Sequence, residues 1–125
     1  MKPLRFLAVA FLCLAARPTA AAYLTGGDLL RECESGKEVN VESCMHYVAG
    51  IIDYQLMLQS LGTEPAVDFC LPRKLTADKA AAAVAVYLKK NPQLGSFIAA
   101  PSVAMALAEA YPCAQARKKR HRHGR

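Results

Sequence analysis

The residues best equipped for chemistry are four cysteines, Cys33, Cys44, Cys70 and Cys113; a fifth, Cys13, lies in an apolar amino-terminal run. Such thiols ligate zinc, attack substrates or form disulfides. Zinc sites draw on close pairs of the C-x-x-C kind, and no spacing here supplies one. The four cysteines fall where helices are expected to begin or end, which suits staples better than a nucleophile. Four cysteines admit three pairings, and spacing alone does not choose among them.

The remaining candidates are sparse. His46 and Asp53 fall on one side of an expected helix, but seven residues of helix separate them by about 10 Å, beyond the reach of a catalytic pair. They read as surface residues or partner contacts. Tyr47, Tyr54, Tyr87 and Tyr111 recur at helical spacings and read as core-facing. His121 and His123 lie in a basic tail, where solvation is the expected role rather than metal binding. No glycine-rich phosphate loop, H-E-x-x-H pair or G-x-S-x-G elbow is present. Neither an enzyme nor a cofactor or metal is expected.

The compartment follows from the leader. Met1 to Arg5 is short and positive, and Phe6 to Ala16 is an apolar run of eleven residues, too short to span a bilayer. Ala20-Ala21-Ala22 fits the A-x-A cleavage pattern, so residues 1–22 read as a signal peptide with the mature start at Tyr23. Cys13 would leave with it; Leu12 precedes Cys13 where a lipobox needs a small residue. The most apolar later stretch, Ala80 to Leu88, has nine residues, so no membrane span is expected. In a bacterium the product would be periplasmic, where disulfides persist.

Charge divides the rest in two. Residues 23–116 hold seven Lys and Arg against ten Asp and Glu, whereas six cations crowd into Arg117 to Arg125. The chain thus reads as a mildly acidic domain, 23–116, followed by a disordered basic tail, 117–125, expected to be solvated rather than nucleic-acid-binding. About ninety residues make one domain whose core is small enough for disulfides to matter.

Four helices are expected to position these residues. Thr25-Gly26-Gly27-Asp28 is a capping-box variant opening a short helix that Ser35-Gly36 stops. In the second, Cys44, Tyr47, Val48, Ile51, Tyr54, Leu58 and Leu61 keep one face apolar, and Gly62 ends it. Gly50 sits mid-helix at a cost of about 1 kcal/mol relative to alanine, which suggests close approach of another helix. Thr63 to Leu75 has two prolines and no period, an irregular connection travelling back along the second helix with Cys70 as its anchor. Thr76 caps a third helix that ends at Asn91-Pro92. A fourth, with Val103, Leu107, Ala110 and Tyr111 on its apolar side, starts or kinks near Pro101 and ends at Tyr111-Pro112.

The fold class expected is therefore all-α, a small four-helix domain stapled by two disulfides. If helices three and four form an antiparallel hairpin about Asn91, Cys70 comes beside Cys113. By the same topology Cys33, ending the first helix, meets Cys44, opening the second.

The series Leu24-Thr25-Gly26-Gly27-Asp28-Leu29-Leu30-Arg31-Glu32-Cys33, Cys44-Met45-His46-Tyr47-Val48-Ala49-Gly50-Ile51-Ile52-Asp53, Phe69-Cys70-Leu71-Pro72, Tyr87-Leu88-x-x-Asn91-Pro92 and Ala106-Leu107-Ala108-Glu109-Ala110-Tyr111-Pro112-Cys113 resembles the Rap/Tai family of immunity proteins. The resemblance spans nearly the whole expected domain. It implies a periplasmic protein that binds a peptidoglycan amidase toxin delivered by type VI secretion and occludes its active site, often as a homodimer. It also implies a partner-binding turn at Asn91, Pro92, Gln93, Leu94, Gly95 and Ser96. Leu94, the one large apolar residue there, reads equally as a partner contact or as a hydrophobic plug. Two departures stand out: the chain continues through Arg117 to Arg125, and its turn carries less charge than is usual, so its toxin should differ from those of characterised members. The reading from another class is a periplasmic chaperone or stress-response envelope protein, which would need apolar surface that can be uncovered.

Overall fold

In the computed structural model, which describes residues 23–114, four α-helices and one 3-10 turn follow in order. They are α1 (Gly26–Cys33), α2 (Glu38–Ser60), α3 (Ala77–Lys90), the 3-10 turn (Pro92–Ser96) and α4 (Ala99–Ala110). The expected signal peptide and basic tail lie outside the described residues. Among the described residues no named strand occurs, and no helix is long and apolar enough to cross a membrane.

Local chemistry accounts for the helix ends. The Thr25 hydroxyl accepts from the Asp28 N–H at 3.2 Å, and the Asp28 carboxylate accepts in return from the Thr25 N–H at 3.2 Å, a complete capping box. Asp28 is held below its ordinary pKa, first by the Thr25 hydroxyl and then by the Thr25 backbone N–H. At the other end of α2, Gly62 takes φ 70°, the left-handed region that glycine enters without strain. Thr63 N–H then donates to Leu58 O at 2.9 Å and Gly62 N–H to Gln59 O at 3.0 Å, which together make a Schellman stop.

Leu29, Val48, Val84, Val103 and Leu107 are fully buried, one or more from each helix, so a single core joins all four. Burying side chains of this size contributes roughly 1.5 to 3 kcal/mol each. Cys33 is bonded to Cys44 and Cys70 to Cys113, with Cα–Cα separations of 5.1 and 4.9 Å, as the hairpin topology requires.

Several expectations need correction. α2 begins at Glu38, not at Cys44, which lies inside the helix. Its first turn is helped by the Ser35 hydroxyl, which accepts from the Lys37 N–H and the Asn40 amide. Tyr54 and Leu61, expected in the core, are exposed, because the core-facing side of α2 runs through Cys44, Val48 and Gln55 instead. A Cβ on Gly50 would meet nothing within 4 Å among the described residues, so none of the described helices approaches it. α4 does start near Pro101, as expected: it begins at Ala99, and Pro101 is the third helical residue, in the first turn where an N–H has no helical acceptor to lose. Ala110 is exposed, and Ser102 and Ala106 take the buried places beside Val103 and Leu107.

Candidate functional site

Asn91 to Ser96 forms a tight, internally bonded cap on one end of the bundle. Asn91 ends α3: its backbone N–H donates to Tyr87 O and Leu88 O, and its side-chain amide donates to Tyr87 O at 2.8 Å. Pro92, whose fixed φ and missing N–H suit a first helical position, starts the 3-10 turn. Leu94 N–H donates to Asn91 O and Phe97 N–H to Leu94 O, closing it.

The seat of this turn is the amino end of α1. A Cβ on Gly26 would stand 2.6 Å from the Leu94 carbonyl oxygen and 3.3 Å from Leu88 Cδ2, and one on Gly27 would stand 3.0 Å from Gly95 O. Only glycine allows the two backbones to approach this closely. Gly26 N–H donates to Phe97 O and Ala99 N–H to Leu24 O, each at 2.9 Å, flanking an isolated antiparallel bridge between Thr25 and Ile98. Leu94 is half-buried and packs against the core, whereas Pro92, Gln93 and Ser96 are exposed. Gln93 Nε2 donates to Asn91 Oδ1 at 3.3 Å.

The sequence reading missed the apolar surface beside this turn. Phe97 and Ile98 are 62% and 53% exposed, although their backbones are tied down by the bonds to Gly26 and the bridge to Thr25. The available signal was two large apolar residues between a turn and a helix start, where no period carries them inward.

At the far end, the bond from Cys70 to Cys113 and one buried amide fix the remaining connection. Gln55, 5% exposed, donates to Asp68 Oδ1 at 3.0 Å and to Phe69 O at 3.3 Å, pinning the irregular segment to α2. Cys70 N–H donates to Tyr111 O at 2.9 Å, next to the bond from Cys70 to Cys113. Asp68 groups with Cys70 and Cys113 closely enough to suggest a metal site, but the two sulfurs are bonded to each other and offer no thiolate. His46 and Asp53 both lie exposed on α2, one helix away from the turn.

The arrangement suits recognition rather than reaction: a braced turn with apolar side chains presented on fixed backbone. No curated protein and no solved structure matches the chain. A family model described as Rap1a immunity proteins matches residues 25–113, from the cap of α1 to the last cysteine. On that match, which takes in every helix and both disulfides described above, the chain belongs to the Rap1a immunity protein family.

Proposed function

We propose that this protein is a periplasmic immunity protein that binds and inhibits a peptidoglycan amidase toxin delivered by type VI secretion. It acts by occlusion, with no catalysis of its own. The observation that carries this reading is the family match over residues 25–113. The amidase class, the delivery route and self-association come from the resemblance of the sequence to the Rap/Tai pattern. Two disulfides fit an oxidising compartment such as the periplasm.

Asn91 to Ser96, extended to Phe97 and Ile98, is the surface we assign to the toxin. Gly26 and Gly27 seat the turn from below, and the bond from Cys70 to Cys113 ties the opposite ends of α3 and α4. A surface braced in this way loses little conformational entropy on docking, so more of the contact free energy is left for affinity. Phe97 supplies the kind of aromatic anchor that dominates such interfaces.

The test is affinity capture from a periplasmic extract with the protein as bait, followed by mass spectrometry. Recovery of one secreted amidase, absent when Phe97→Asp bait is used, would support both the function and the surface. Recovery of many unrelated unfolded proteins would favour the chaperone reading instead.

A further inference from the structure

The two disulfides differ in how far a thiol can reach them. Cys44 is fully buried and Cys33 half-buried, whereas Cys70 is exposed and only its partner Cys113 is buried. Thiol–disulfide exchange begins when a thiolate attacks one sulfur, which breaks the S–S bond and sends its electron pair to the other. In the bond from Cys70 to Cys113, access makes Cys70 Sγ the sulfur attacked and Cys113 Sγ the one that leaves.

A carboxylate stands where that charge would appear. Asp68 Oδ2 lies 3.4 Å from Cys113 Sγ. With the two sulfurs bonded to each other there is no thiol proton to share, so this contact is not a hydrogen bond. The carboxylate is held from its other side: Asp68 Oδ1 accepts from the Gln55 amide at 3.0 Å and from the Gln59 amide at 3.4 Å, and Gln55 is itself buried. One oxygen is thus committed to α2, and the other is left facing sulfur.

We infer that Asp68 guards the bond from Cys70 to Cys113 against reduction by thiols. A neutral disulfide tolerates a carboxylate beside it, but the products of its reduction do not. Attack on Cys70 Sγ by an external thiolate forms a mixed disulfide there and leaves Cys113 Sγ as a thiolate, beside a like charge and largely out of water. A second external thiolate attacks the first one's sulfur, carries it off as a small disulfide and releases Cys70; water protonates both cysteines. Two external thiols are oxidised as two cysteines are reduced. The incoming and the departing negative charge both meet the Asp68 carboxylate, so one residue slows the attack and disfavours the reduced state. What it protects is the anchorage of residues 63–75, which this bond and the Cys70 N–H tie to the end of α4. The inference stands apart from toxin binding.

The test is the rate of reduction of the purified, oxidised protein by two thiols of opposite side-group charge, 3-mercaptopropionate (anionic) and cysteamine (cationic). Acid quenching, alkylation and peptide mass spectrometry follow each disulfide separately. Asp68→Asn keeps an oxygen for the two glutamines and removes the charge. In this variant 3-mercaptopropionate should reduce the bond from Cys70 to Cys113 at least about tenfold faster than in the wild type, and cysteamine should gain less. The bond from Cys33 to Cys44 and amide hydrogen exchange across residues 63–75 should be unchanged. Unaltered rates with both thiols would overturn the inference. So would an equal gain with both, since a loosened segment, unlike a lost charge, does not distinguish an anionic reagent from a cationic one.

Discussion

The α-carbon of Gly26 faces the carbonyl oxygen of Leu94 so closely that a methyl group on Gly26 would stand 2.6 Å from that oxygen. This one approach couples the first turn of α1 to the turn after α3, segments far apart in sequence. It explains why two glycines sit at the start of a helix, where their flexibility otherwise lowers helix stability.

Gly26→Ala should therefore destabilise the protein, although alanine is the better helix former. The backbone of Leu94 must shift to admit the methyl, an overpacking cost of about 1 to 3 kcal/mol, whereas the propensity gain at the first helical position is smaller than the interior value of about 1 kcal/mol. Gly50→Ala, with open space around it, should instead stabilise an isolated chain by about 1 kcal/mol. Urea denaturation of both variants, at concentrations where the protein is monomeric, checks the opposite signs.

Non-reducing peptide mapping should recover Cys33 with Cys44 and Cys70 with Cys113. The two bonds should differ in effect because they close loops of different length, with sequence separations of 11 and 43. In the chain-entropy picture the shorter stabilises by about 3 kcal/mol and the longer by about 4. Paired Cys→Ala variants compared by thermal unfolding should lose more from the Cys70–Cys113 bond; equal losses would mean that loop closure does not govern them.

Asp28 gives acid sensitivity of a definite sign. Its pKa in the folded protein is depressed, chiefly by the Thr25 hydroxyl, so its contribution is complete above the unfolded value and is lost as pH falls through the folded one. The stability difference between the wild type and Asp28→Asn should be constant from pH 5 upward and shrink as pH drops below about 4. A difference that grows on acidification would contradict the capping-box account.

Gln55→Leu should cost about 1 to 3 kcal/mol, since it strips the side-chain donor from the Phe69 carbonyl and from Asp68 at a buried site. Faster amide hydrogen exchange confined to residues 63–75 would show that the amide pins this segment.

How far these features were legible depends on their range. The capping box at Thr25 and Asp28, the stop at Gly62 and the end of α3 at Asn91 are local signals, and each stands where the sequence places it. The disulfide pairing needed only helix order and one hairpin. α2 misled because it is apolar on two faces: periodicity marks a stripe, but it does not say which stripe meets the core, and Tyr54 and Leu61 fell on the other one. Gln55 could not be read as buried, since its partners Asp68 and Phe69 lie in a segment without period. In the candidate site, the break after α3 was legible from Asn91-Pro92, and the role of the turn at Asn91 to Ser96 came only from the family resemblance. Its seat on Gly26 and Gly27, and the exposure of Phe97 and Ile98, arise from contacts between distant segments that no local pattern records.

The central claim is inhibition by binding, and the most direct measurement is a titration of the captured amidase toxin, with peptidoglycan hydrolysis as readout. Activity should fall linearly and vanish near one immunity chain per toxin, with Phe97→Asp weakening the complex by at least about 2 kcal/mol while its circular dichroism is unchanged. Full hydrolysis in the presence of a large excess of the wild-type protein would contradict the account.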